Sequence, residues 1–110
     1  MENRQKVLNM IGLATKAGKT VSGEFSTEKA VETGKAWLVI VSEEASDNTR
    51  KMFTNMCTYY HVPVCFFGKK EELGHSMGKE FRASLAITDE GFAKTLVKQM
   101  NVNGGSKYES

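Results

Sequence analysis

Gly12, Gly18, Lys19 and Thr20 are the residue types of a phosphate-cradling loop, in which glycines admit backbone amides to the phosphates and a lysine adds charge. Five residues separate these glycines, where the motif has four. The context is also reversed, since a helix here leads into a strand, so Gly18 reads as a helix stop. Cys57, His61, Cys65 and His75 are zinc-ligand types. Cys57 and His61 are four apart on one helical face, but Cys65 lies in an apolar strand, and zinc sites usually hold cysteines in turn-bound pairs. Both thiols read as small buried hydrophobes, and neither has the helix-start or basic setting that would make it a nucleophile beside His61. No catalytic residue, metal, other cofactor or small-molecule substrate is expected.

The remaining candidate is the surface around Gly23. Lys19 precedes a short strand, Gly23, Glu24, Phe25, Ser26 and Thr27 form the turn into a helix, and Lys29 stands in its first turn. A helix start offers unpaired amides to phosphate, hydroxyls add hydrogen-bonding groups, and lysine supplies charge. A solvated lysine face has the same composition, and both readings stand at this point.

The elements that must position these groups alternate along the chain. Val7, Leu8, Ile11, Ala14 and Ala17 recur at helical spacing over residues 2–17. A strand over residues 20–22 hands over through Gly23 to a helix capped by the Ser26 and Thr27 hydroxyls and stopped by Gly34. The continuous apolar run from Trp37 to Val41 suits a central strand buried on both faces. Ser46 and Asp47 begin a third helix with the stripe Met52, Phe53, Met56, Cys57 and Tyr60, ended by His61, Val62 and Pro63. A strand over residues 64–67 precedes a turn and short helix over residues 68–74, with Gly74 and Gly78 loosening the stretch before the next strand. After a strand over residues 84–88, Thr88, Asp89 and Glu90 open a helix carrying Phe92, Ala93, Leu96, Val97 and Met100 on one face. The expected fold is α/β: a three-layer α/β/α sandwich around a mixed sheet of about four strands, one domain over residues 1–100 with a flexible tail over 101–110.

Composition agrees with that size. In 110 residues, 40% are hydrophobic and 25% charged, ordinary for a folded chain with one core. A net charge of +2 is far from polybasic, so binding of any polyanion depends on where the lysines sit. There is no apolar stretch of signal-peptide length and no run near the roughly 20 residues of a membrane span. A cytoplasmic protein with reduced thiols and no membrane partner is expected, and no heptad or apolar run asks for more than a monomer.

Five strings occur in one order: Leu13-Ala14-Thr15-Lys16-Ala17-Gly18-Lys19; Ser22-Gly23 with Ser26-Thr27 and Lys29-Ala30-Val31; Gly34-Lys35-Ala36 with Leu38-Val39-Ile40-Val41; Val62-Pro63-Val64; and Lys70-Glu71-Glu72-Leu73-Gly74, followed by Gly78. Together they resemble the kink-turn-binding ribosomal protein family whose archaeal namesake is large-subunit protein seven-Ae, most closely its bacterial YlxQ-type branch. The resemblance spans about residues 5–100. It implies a non-catalytic protein that binds a sharply bent RNA helix, the kink turn, in ribosomal or other structured RNA. In that family the turn into the second helix meets the tandem G·A pairs, and the loop before the last strand packs on the extruded nucleotide.

By position, the resemblance assigns the first contact to Gly23, Glu24, Phe25, Ser26 and Lys29, beside Lys19, and the second to Gly78, Lys79, Glu80, Phe81 and Arg82. Relatives often carry Asn-Glu or Lys-Gln where this chain has Phe25-Ser26, and some an arginine where it has Thr33. Phe25 and Phe81 then read as groups that stack on a base, with core packing as their alternative. The rival function is a protein-interaction module on the same fold.

Overall fold

Helix ends are where the local chemistry of this chain is clearest. In the computed structural model, which describes residues 3–100, the order is α1 (Asn3–Lys16), β1 (Thr20–Ser22), α2 (Glu24–Glu32), β2 (Leu38–Val41), α3 (Asp47–Tyr60), β3 (Val64–Phe66), α4 (Lys70–Ser76), β4 (Ser84–Ile87) and α5 (Glu90–Met100). The expected helix start at Glu2 and the tail over residues 101–110 lie outside the described residues.

Gly18 closes α1 at φ +75°. The Lys19 amide donates to the Ala14 carbonyl and the Gly18 amide to that of Thr15, both at 2.9 Å, which satisfies carbonyls the helix leaves over. This is the helix stop read from the sequence, not a phosphate loop.

α3 closes the same way with a residue that resists the geometry. His61 sits at φ 60°, and the Val62 amide donates to the Cys57 carbonyl at 2.9 Å. A side chain in this left-handed region costs about 1 kcal/mol or more. His61→Gly is therefore expected to stabilise the fold by about 0.5–1 kcal/mol, after allowing for the looser unfolded chain. A rise in thermal midpoint of a few degrees would show it, and a fall would mean that the imidazole makes contacts worth more than the relief.

Helix starts follow the side chains. The Ser46 hydroxyl accepts from the Thr49 amide at 3.1 Å, and an Asp89 carboxylate oxygen accepts from the Phe92 amide at 2.9 Å. α2 departs from expectation: it starts at Glu24 with Gly23 as its cap, so Ser26 and Thr27 lie inside the helix. Thr27 is fully buried, and its hydroxyl has no hydrogen-bond partner among the described residues. α4 also departs, running through Gly74 to Ser76 instead of loosening there.

The four strands form one mixed sheet in the order β1-β4-β2-β3. β1 pairs antiparallel with β4, β4 antiparallel with β2, and β2 parallel with β3. The two central strands, β2 and β4, are buried at every residue, as a continuous apolar run requires. Alternation sends Leu38, Ile40, Leu85 and Ile87 to one side, where Val7, Ile11, Leu73 and Leu96 of α1, α4 and α5 cover them. Val39, Val41 and Ala86 face the other side, under Ala30 and Val31 of α2 and Phe53 of α3. The result is the α/β/α sandwich. On each face, one sheet surface is removed from water by helices that could not bury their own apolar stripes alone.

Candidate nucleic-acid interface

Gly23 joins a strand to a helix in a single residue. Its amide donates to the Ser84 carbonyl at 2.9 Å, extending the β1–β4 ladder, and its own carbonyl accepts from the Thr27 amide at 3.0 Å, opening α2. Doing both places it at φ 93°, ψ 157°, a conformation essentially confined to glycine. A Cβ there would meet nothing within 4 Å, so the backbone alone selects the residue. Among the described residues no side chain caps this helix, which leaves the first-turn amides of Glu24, Phe25 and Ser26 without an intrahelical acceptor.

Phe25 is 74% exposed, so the core-packing alternative fails for it. One turn on, the Lys29 ammonium lies 5.6 Å from its ring centroid, a cation–π pair that holds both side chains on one face of α2. Lys29 is therefore in the last turn of α2, not the first. Beside this stripe runs an acidic one, Glu24, Glu28 and Glu32, four residues apart. Burial first, and then the carboxylates of Glu24 and Glu32, raise the pKa of Glu28. Phosphate approaching α2 is thus favoured on the Phe25–Lys29 side and repelled on the other.

The loop over residues 78–82 is pressed onto α4. A Cβ at Gly74 would lie 2.5 Å from the Glu80 carbonyl oxygen and 2.8 Å from the Phe81 Cα, so glycine is what lets this backbone approach. The Lys79 amide donates to the Gly74 carbonyl at 2.8 Å and the Arg82 amide to that of Lys70 at 3.0 Å. Gly78, Lys79 and Glu80 are exposed, and Phe81 is 59% exposed, so it too lies outside the core.

Arg82 brings the two segments together. Its guanidinium donates through Nε to the Ser22 hydroxyl at 2.9 Å and through Nη1 to the Phe81 carbonyl at 2.7 Å. Ser22 directly precedes Gly23, so the two assigned contact segments meet at one end of the sheet. Lys19 does not join them: its carbonyl accepts from the Thr88 amide at the other end of β1, about 13 Å from Gly23 at strand spacing.

Sequence reasoning missed the floor beneath this end. The Ser42 hydroxyl donates to the Gly68 carbonyl, and the Lys70 amide to a Glu44 carboxylate oxygen, each at 2.9 Å. These bonds tie the loops after β2 and β3 to the 78–82 segment through Lys70. Nothing in spacing announces them, because the partners come from distant elements.

The four zinc-ligand types are dispersed. Cys57 packs in the layer under α3, Cys65 in the layer on the opposite sheet face, and His61 and His75 are exposed on different helices. The Cys65 thiol lies 3.4 Å from the Met100 sulfur. Burial pushes the Cys57 thiol up to about 11. Native protein at pH 8 should therefore leave Cys57 unlabelled by a thiol reagent that reacts at once after denaturation. The raised pKa favours the folded, protonated thiol. That contribution is complete below the unfolded value of about 8.5 and is lost as pH rises toward about 11. Rapid labelling of folded protein at pH 8 would contradict this.

Residues 5–97 match the ribosomal protein L7Ae/L30e/S12e/Gadd45 family. The chain is 42% identical over 92 residues to the RNA-binding protein YlxQ of Bacillus subtilis, covering 84% of this chain and 92% of that protein. It is 41% identical over 92 residues to YlxQ of Enterococcus faecium, covering 84% and 88% respectively. Among solved structures, a Bacillus halodurans protein of unknown function superposes with a TM-score of 0.85 at 34% identity, covering 87% of this chain and 97% of that one. The 15.5 kD RNA-binding protein of Giardia lamblia shares the fold, with a TM-score of 0.78 at 23% identity over 93% of this chain and 90% of its own. Among the described residues, no helix is long and apolar enough to cross a membrane.

Proposed function

Since the chain belongs to the ribosomal protein L7Ae/L30e/S12e/Gadd45 family, we propose that it is a non-catalytic RNA-binding protein whose target is a kink turn in ribosomal or other structured RNA. The observation that carries this reading is the Arg82–Ser22 hydrogen bond, which locks the uncapped start of α2 and the 78–82 loop into one surface. The Bacillus and Enterococcus relatives, named as RNA-binding proteins, support it. In this reading the α2 amides and Lys29 hold phosphate, while Phe25 and Phe81 cover bases at the bend. Gly23, Glu24, Ser26, Gly78, Lys79, Glu80 and Arg82 shape the rest of that surface. The protein acts as a cytoplasmic monomer, and Lys19 touches RNA only if the duplex runs on along β1.

The test is a titration of labelled kink-turn RNA and of a straight duplex at two salt concentrations. Tight binding to the bent RNA alone, weakening steeply with salt, is the expected result. Lys29→Ala should weaken binding to every kink-turn sequence alike and reduce the salt slope by about one unit or less. Equal, weak binding to both RNAs would overturn the reading and leave a protein-interaction module.

A further inference from the structure

At the end of the sheet away from Gly23, the surface changes character. Trp37 is 47% exposed, Tyr60 42% and Tyr59 74%. Trp37, Tyr60, His61 and Pro63 line one groove of about 470 Å³. The Tyr59 and Tyr60 rings meet edge to face with centroids 4.9 Å apart, an arrangement that steadies Tyr60 beside the groove. Such a concentration of exposed rings on a small protein marks a contact surface.

Two observations identify the occupant. The first is continuity. Phe25, Lys29 and Thr33 follow one another at four-residue intervals along α2 and line a second groove together with Lys35. Thr33 lines both grooves, so one unbroken track leads from the start of α2 to Trp37 and Tyr60, over about 12 Å of helix. The second is charge. Lys29 and Lys35 flank the track before the rings begin, whereas Glu32 forms part of the far groove's wall and turns phosphate toward the lysine side. Cations spaced along a path, followed by planar rings, are the components that hold single-stranded nucleic acid: phosphate is met by charge, and any base can stack.

We propose that this track binds a single-stranded RNA segment leaving the structured RNA held at Gly23, with one or more bases stacked on Trp37 and Tyr60. The proposal rests on the RNA-binding reading above. It adds a second, sequence-tolerant contact to the first, so total affinity rises through a tethered segment rather than through a tighter grip on the bend. Glycine at position 34 turns the chain at φ +78° immediately after Thr33. That turn places Lys35 and Trp37 next to the end of α2 instead of farther along its axis.

Trp37 is the chain's one tryptophan, so its emission reports on this groove alone. The experiment compares a blunt-ended kink-turn RNA with the same RNA carrying about six unpaired uridines at each stem end in turn, a length within the usual footprint of such sites. Binding is followed by a label on the RNA and, separately, by Trp37 emission. One of the extended RNAs should bind about tenfold more tightly than the blunt RNA and quench Trp37. Tyr60→Ala should remove most of that gain while blunt RNA binds as before. Trp37→Leu provides a second check by affinity alone, and circular dichroism confirms that each variant is folded. If blunt RNA binds and no extension changes either affinity or emission, the track is not an RNA site while the reading at Gly23 stands. A partner protein that quenches Trp37 when the extensions do not would assign the groove to that partner and overturn the proposal. If neither blunt nor extended RNA binds, the reading on which the track rests falls, and the track with it.

Discussion

Gly74→Ala should destabilise the protein by about 1–3 kcal/mol and free the 78–82 loop, although the same change in an open helix would stabilise it by about 1 kcal/mol. The sign is set by contact. The new Cβ would lie 2.5 Å from the Glu80 carbonyl oxygen and 2.6 Å from its carbonyl carbon, both backbone atoms that no side-chain rotation can move aside. Either α4 shifts within a core that includes the fully buried Leu73, or residues 78–82 lift away. Lifting the loop would strain the bonds from Lys79 to Gly74 and from Arg82 to Lys70 and Ser22. Thermal denaturation gives the stability change, and amide exchange at Lys79 and Arg82 shows whether the loop has opened. A more stable variant with both amides still protected would mean that the loop is not held by this close approach.

Phe25→Ala should weaken binding of a kink-turn RNA by about 5- to 150-fold, the span that 1–3 kcal/mol of lost base stacking allows. The melting temperature should fall by no more than a few degrees. At 74% exposure the ring contributes little to the core, and its cation–π contact with Lys29 is worth about 0.5–1 kcal/mol at an open site. Affinity and melting must be measured on the same preparation, because each answers a different question. A large melting loss with unchanged affinity of the folded protein would place Phe25 in the structure rather than on the RNA.

These expectations also mark how far the sequence can be read. The sandwich and its central strands are legible because a continuous apolar run from residue 37 to 41 has few places to go except between two layers of helices, although Trp37 stays outside the strand and half-exposed. The stop at Gly18 and the caps at Ser46 and Asp89 are legible because each depends on neighbours within a few residues. The start of α2 is misplaced by sequence reasoning for the converse reason. Ser26 and Thr27 have the side chains a cap prefers, but Gly23 must end the β1–β4 ladder, and that tertiary demand outranks the local preference. Gly74 reads from sequence as a point of looseness, since a glycine in a short helix carries no local sign that another backbone lies against it. The exposure of Phe81 is equally hidden, because a lone aromatic in a loop is compatible with either fate. The aromatic groove joins Trp37, just before β2, to Tyr60 at the end of α3, and only the tertiary pairing of distant elements brings them together.

The pairing of Ser22 with Leu85 and the bond from Arg82 to Ser22 also govern when the surface exists during synthesis. The hydrogen bonds of α1 and α2 are local, but helices of 14 and 9 residues stay marginal until they pack, so neither is firmly held on an emerging chain. β1 is an edge strand whose partner in the sheet is β4, so it has no ladder until the last strand emerges. A nascent chain released up to α3 therefore carries Gly23, Phe25 and Lys29 but lacks both the Ser84 carbonyl and the Arg82 side chain that set their geometry. The surface around Gly23 is thereby completed only in the final stretch of translation, so an unfinished chain does not carry it.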